Sequence, residues 1–199
     1  MVGIIDYGVG NLFSLRSSFA AIGVEAFVSG DAGELAKADR LILPGVGAFG
    51  DAARKLRDSG LDVFVKEQAA SGKPLMGICL GMQLLFERSY EYGDHFGLGL
   101  LKGQVVGMSG RLPEGLKIPH MGWNALRLTK PAKLLEEGSY VYFVHSFYAE
   151  NCEDSLAAVT DYGIPITAAV EKGNIFGCQF HPEKSGNVGL AILKRFCEV

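Results

Sequence analysis

No two cysteines in this sequence are spaced as C-x-x-C, and no histidines gather at metal-ligand spacing. Cysteine is scarce: Cys79, Cys152, Cys178 and Cys197 are the only four among 199 residues. A disulfide framework and a structural zinc site are therefore not expected, and a reducing, cytoplasmic setting fits. No apolar run nears the length of a membrane span. The opening residues, Met1-Val2-Gly3-Ile4-Ile5-Asp6, carry no positive segment, so no signal peptide is expected there. Basic residues do not outnumber acidic ones. The net charge of −3 leaves no electrostatic footprint for nucleic acid. Linkers, internal repeats and low-complexity tracts are missing too, and neither a metal nor an organic cofactor is expected.

What is present points to one compact α/β domain over residues 1–199. The chain is 48% apolar, enough for a sizeable core, and its 27 glycines suit a fold with many tight strand–helix turns. Val2 to Ile5 reads as a strand. Asp6-Tyr7-Gly8-Val9-Gly10-Asn11 reads as a loop, with Asn11 as an N-cap. Leu12, Leu15, Phe19 and Ile22 recur at helical spacing before Gly23. Strands at 24–28 and 40–43, with a short helix at 33–38 between them, continue a β-α-β-α-β order. That order implies parallel strands flanked by helices. In the second half, 102–106, 140–144, 156–160, 167–170 and 175–180 read as strands, mostly with short connections. They suggest an antiparallel section joined to a mainly parallel, flavodoxin-like sheet. Residues 187–196 close the chain as a helix. Glu87 to Gly99 reads as surface loop, with His95 exposed in it.

The most informative stretch is Pro74-Leu75-Met76-Gly77-Ile78-Cys79-Leu80-Gly81-Met82-Gln83-Leu84-Leu85-Phe86. An apolar strand at 75–78 runs into a helix predicted over 80–86, and Cys79 stands at the corner. Glycines two positions away on each side allow a tight reversal that a Cβ would block. This is the Cys counterpart of the G-x-S-x-G nucleophile elbow. It sets a thiol at a helix start, with the Leu80 N–H aimed where an oxyanion would form. The same spacing also arises from a small buried Cys in a strand–helix joint, so the motif needs a base elsewhere.

A second glycine cluster, Pro44-Gly45-Val46-Gly47-Ala48-Phe49-Gly50, matches G-x-G-x-x-G after a strand. A dinucleotide site is disfavoured: the cluster follows the third strand, Pro44 interrupts the turn, and no later strand ends in a ribose-binding acid. The better reading is a loop whose N–H groups face the elbow. A base is offered by Ile175-Phe176-Gly177-Cys178-Gln179-Phe180, a strand ending at His181-Pro182-Glu183. Glu183 would hold the imidazole in one tautomer and stabilise its charged form. Cys178 reads as a small buried hydrophobe.

These two motifs together, Gly77 to Gln83 and Gln179 to Glu183, resemble the class I (triad) glutamine amidotransferases. Asp6 to Asn11, Pro44 to Phe49 and Pro119-His120-Met121-Gly122-Trp123-Asn124 narrow the resemblance to the glutaminase subunits of imidazole glycerol phosphate synthases, and it runs from Met1 to the C-terminus. The resemblance implies that Cys79 attacks the side-chain amide of L-glutamine, that His181 moves protons, and that Glu183 orients His181. It implies an oxyanion hole from Leu80 and the Val46-Gly47 loop, and substrate contacts from Gln83, Ser146 and Phe147. It also implies a heterodimer with a cyclase subunit, a (β/α)8 barrel that receives the ammonia, with Asn11, Trp123 and Lys184 at the shared face. Trp123 is expected in a loop. His120 and His145 read as structural or interfacial. The alternatives are a glutaminase of another pathway, a hydrolase of similar fold acting on another amide, and a degenerate glutaminase retained as a binding subunit.

Overall fold

The computed structural model describes residues 1–199. The first half runs β1 (Val2–Ile5), α1 (Leu12–Ala21), β2 (Ala26–Ser29), α2 (Ala32–Leu35), β3 (Arg40–Leu43), α3 (Phe49–Asp58), α4 (Leu61–Ala70), β4 (Leu75–Ile78) and α5 (Leu80–Leu84). The second half begins with β5 (Arg88–Ser89), β6 (His95–Phe96), β7 (Gln104–Gly107), β8 (His120–Ala125), β9 (Arg127–Leu128), β10 (Tyr140–His145) and β11 (Phe147–Glu150). It ends with β12 (Leu156–Asp161), β13 (Pro165–Lys172), β14 (Ile175–Cys178), a 3-10 turn at Pro182–Lys184 and α6 (Gly186–Phe196).

Eight strands form the main sheet in the order β2-β1-β3-β4-β14-β13-β12-β9. The five from β2 to β14 are parallel, and β13, β12 and β9 extend the sheet antiparallel. Side chains alternate across it, as the pleat requires. Leu41, Leu43 and Leu75 face the core under α2, α3 and α4. Ile42, Met76 and Ile78 face the opposite core with Leu15 and Phe19 of α1 and Ile192 and Phe196 of α6. Phe176 and Phe196, edge to face at 5.8 Å, seat α6 on the sheet. Burying a side chain of this size stabilises the fold by about 1.5–3 kcal/mol.

Because β1, β3, β4 and β14 run parallel, the segments that follow them all leave the same edge of the sheet. These are Asp6–Asn11, Pro44–Ala48, Cys79 and His181, and this edge is where an open α/β sheet offers a ligand crevice. A four-stranded sheet, β11-β7-β5-β6, and a two-stranded ribbon of β8 and β10 stand beside that edge.

Several elements differ from their sequence-based reading. The helix predicted over 80–86 ends at Leu84, because the next turn tightens: the N–H groups of Leu85 and Phe86 donate to Met82 and Gln83. The chain then turns, and the Leu84 and Leu85 carbonyls accept from Leu98, Leu100 and Leu101. α3 has no sequence signal at its start: Ala48 offers no side-chain cap, and Phe49 N–H donates instead to the Glu91 carboxylate at 2.7 Å. Trp123 is in strand β8, not a loop, opposite Tyr142. His95 lies in β6 and is half-buried, because Gly50 at the start of α3 lets its ring pack against the helix. No helix is long and apolar enough to cross a membrane.

Candidate active site

The elbow is built from three glycines in mutual contact. A Cβ on Gly77 would stand 2.6 Å from the Gly81 carbonyl oxygen, and one on Gly81 would stand 1.8 Å from the Leu43 oxygen. A Cβ on Gly45 would meet Gly81 N at 2.6 Å. The loop after β3 is thus pressed onto the elbow, leaving no cradle there for a dinucleotide. Cys79 itself has φ 54° and ψ −112°, a sparsely populated conformation for a side-chain-bearing residue. Its N–H donates to Cys178 O at 2.7 Å, and its carbonyl accepts from Gln83 N at 3.2 Å. The backbone N–H groups of Leu80, Val46 and Gly47 donate to nothing in the protein. α5 has only five residues, so its helix dipole is short.

His181 is fixed from several sides. Its N–H donates to Tyr142 O at 3.0 Å, and its carbonyl accepts from Ser185 Oγ at 2.7 Å. The 3-10 turn brings Glu183 back so that His181 Nδ1 donates to Glu183 Oε1 at 2.8 Å. The Cys79 side chain lies close enough to the imidazole to favour its charged form. Burial is the largest single influence on His181 and disfavours its charge, but the bonds and charges of Cys79 and Glu183 together outweigh it and raise its pKa to about 9. Glu183 Oε2 is buried without a partner. Burial pushes the Cys152, Cys178 and Cys197 thiols up, Cys178 furthest.

A cleft of about 380 Å³ opens over the sulfur. The structure brings Cys79, Leu80, Val46, Gly47, Gln83, Ser146, Phe147, His181 and Lys184 to its walls. Glu183 lies behind His181, with its side chain 1% exposed. Asn11 and Trp123 lie outside the cleft. Asn11 caps α1, accepting from Ser14 N at 3.4 Å. Trp123 is 55% exposed and sits edge-on to Tyr142, whose ring in turn lies beneath Lys184 Nζ at 6.0 Å. Five further lining residues had no catalytic or substrate-binding role in the sequence reading: Glu91, Tyr92, Pro119, Val144 and His145. Gln179 and Tyr7 were missed as well. Gln179 Nε2 donates to Cys79 Sγ at 3.7 Å, and Tyr7 OH donates to Pro44 O at 2.7 Å, pinning the start of the glycine loop. Burial and the neighbouring Cys79 push the Tyr7 hydroxyl pKa up. Gln179 was legible as a polar residue flanking the strand that ends at the base. Glu91 and Tyr92 sit in an irregular polar stretch that offers no local signal.

A nucleophile elbow at the edge of a parallel sheet, facing a His–Glu pair, is an arrangement suited to acyl transfer. The family model described as Glutamine amidotransferase class-I matches residues 3–199. A protein of that fold, described as a glutamine amidotransferase, superposes with a TM-score of 0.77 at 20% identity, covering 99% of this chain and 97% of its own. The imidazole glycerol phosphate synthase subunit HisH of Wolinella succinogenes is 52% identical over the whole of both chains. The subunit of the same name from Caldanaerobacter subterraneus subsp. tengcongensis is 52% identical over all of this chain and 98% of its own. The chain belongs to the class-I glutamine amidotransferases, in the family of the HisH subunits of imidazole glycerol phosphate synthase.

Proposed function

We propose that Cys79, His181 and Glu183 hydrolyse L-glutamine through a γ-glutamyl thioester and that the ammonia is handed to a cyclase subunit. The observation that carries this reading is the His181 ring, bonded to Glu183 and sharing one cleft with Cys79 and three unpaired N–H groups. Cys79 Sγ attacks the side-chain amide carbon, and the charge that develops on oxygen is met by Leu80 N–H and an N–H of the Val46-Gly47 loop. His181 gives its proton to the departing nitrogen as the C–N bond breaks. It then takes a proton from the water that cleaves the thioester, and glutamate leaves.

The cleft suits the rest of the substrate. Both N–H groups of Gln83 Nε2 are used, donating to Phe147 O at 3.1 Å and Gln179 Oε1 at 3.0 Å, which leaves Gln83 Oε1 as the atom available to a ligand. The Ser146 N–H has no partner within the protein and suits the substrate carboxylate, together with the Phe147 backbone. The buried carboxylate of Glu91 suits the α-ammonium group. Burial raises the Glu91 pKa, against the opposing pull of Phe49 N–H and His95, and an ammonium ligand would favour its charged form.

The partner is a cyclase of (β/α)8-barrel form, in a cytoplasmic heterodimer. The β8–β10 ribbon presents Met121 at 60%, Trp123 at 55% and Tyr140 at 60% exposure on one face, an apolar patch of the kind that marks an interface. Lys184 joins that patch to the cleft, and Asn11 rims the same sheet edge. The test is glutamate release by the chain with and without the barrel subunit and its nucleotide substrate. One glutamate per imidazole product supports the reading. Glutamine left intact in both conditions refutes it.

A further inference from the structure

Two buried histidines next to the cleft are not used in that chemistry. His120 Nδ1 and His145 Nε2 are 3.0 Å apart, and His145 Nδ1 is 2.8 Å from Phe147 O. A carbonyl oxygen only accepts, so His145 carries its proton on Nδ1 and donates to Phe147 O. Its Nε2 is then bare and accepts from His120 Nδ1–H. Each ring thus holds one proton in a fixed place. The His120 ring is clamped between Phe143, stacked at 4.8 Å, and Tyr162, stacked at 4.1 Å. Burial lowers the pKa values of His120 and His145 to about 4 and about 3, so both are neutral at working pH.

Phe147 O is a junction. It accepts from His145 on one side and from Gln83 Nε2 on the other, and the second Gln83 hydrogen goes to Gln179 Oε1. If the Gln83 amide were flipped, its oxygen would face two acceptor oxygens, so the direction of the Phe147 carbonyl decides which Gln83 atom faces the cleft. The ring of His145 also closes a short turn around Ser146, whose N–H is unpartnered.

We propose that His145, its ring held in place by His120, is a positioning residue: through the Phe147 carbonyl it orients Gln83 and the Ser146 N–H toward glutamine, and so sets substrate affinity without touching the reacting atoms. This rests on the glutaminase reading above. A purely structural pair would affect melting but not affinity.

The test is protection of Cys79 from iodoacetamide by glutamine in the full chain, beside its thermal melt. His145→Leu removes the donor and leaves Phe147 O underbonded. It should raise the half-protecting glutamine concentration about tenfold. The alkylation rate without glutamine should stay near that of the wild type, because His181 and Glu183 are intact. His145→Asn, whose Nδ2 stands where Nδ1 did, should restore most of the affinity. His120→Phe keeps the stack but removes the donor that holds His145 Nε2, and should weaken protection even if His145→Leu does not fold. Unchanged protection in His120→Phe, or His145→Asn as poor as His145→Leu in folded protein, would overturn the proposal. If glutamine failed to protect the wild type and was not hydrolysed, the glutaminase reading would fall and this inference with it.

Discussion

Replacing Glu183 by Gln tests how the base is prepared. The substitution keeps an acceptor for His181 Nδ1–H and removes the charge. The His181 pKa stands at about 9 in the folded protein against 6.5 for a free imidazole. For a side chain buried as deeply as this one, that difference corresponds to about 3 kcal/mol. The sign follows from the direction. Between pH 6.5 and about 9 the native state holds a proton that the unfolded chain releases. Stability from this group is therefore complete below pH 6.5 and falls by about 1.4 kcal/mol per pH unit through that window. In Glu183→Gln the burial penalty on His181 loses one of the two groups that oppose it. The slope should shrink and the His181 pKa should move back toward 6.5. Without the carboxylate to stabilise the imidazolium, glutamine turnover should drop by about 10²- to 10⁴-fold. Urea unfolding at about pH 6 and about pH 9.5, for wild type and variant, reads the slope. A variant with wild-type turnover and an unchanged slope would show that Glu183 does not prepare His181.

Gly81→Ala should cost about 3 kcal/mol or more in a urea melt, because its Cβ meets the backbone of Leu43, which cannot yield as a side chain does. Gly60→Ala, with open space but φ of 73°, should cost only about 1 kcal/mol. The neutral pair His120 and His145 should make the fold acid-sensitive. Their folded pKa values lie below that of a free imidazole, so stability is full above about pH 6.5 and falls by up to about 1.4 kcal/mol per pH unit per histidine below it. His120→Phe should flatten that acid limb in a melt series. Trp123→Ala and Lys184→Ala should leave the melting temperature unchanged, because neither side chain is buried, while weakening association with the barrel subunit by about tenfold or more for Trp123. Equal binding beside a lowered melting temperature would instead assign Trp123 to stability.

The parallel half of the sheet was legible because its strands are short apolar runs separated by helical periodicity and glycine. Cys79 was legible because an elbow needs Gly77 and Gly81 for steric reasons that operate within five residues. The pairing of His181 with Glu183 was legible because the strand, the His and the Glu follow one another directly. What the sequence hid depends on distant partners. α3 is capped by Glu91, 42 residues away, so its start carries no local signal. β5 and β6 have two residues each and take their conformation from pairing with β7 and with each other. Trp123 looked like a loop residue because Gly122 and Asn124 flank it, yet pairing with β10 makes the segment a strand. The links from Gln83 to Phe147 and Gln179, and from His120 to His145, join residues far apart in the chain and emerge only once β8, β10 and β14 are assembled.

The central claim is that Cys79 carries the acyl group, and an acid-quenched reaction with glutamine tests it most directly. In the presence of the partner subunit, mass mapping should find one glutamyl group, on the peptide containing Cys79. It should find none on Cys152, Cys178 or Cys197, whose thiols burial keeps protonated. Cys79→Ala should show no adduct and lose glutamate release by several orders of magnitude. Glutamate release near the wild-type rate from Cys79→Ala, or an adduct on another residue, would contradict the claim.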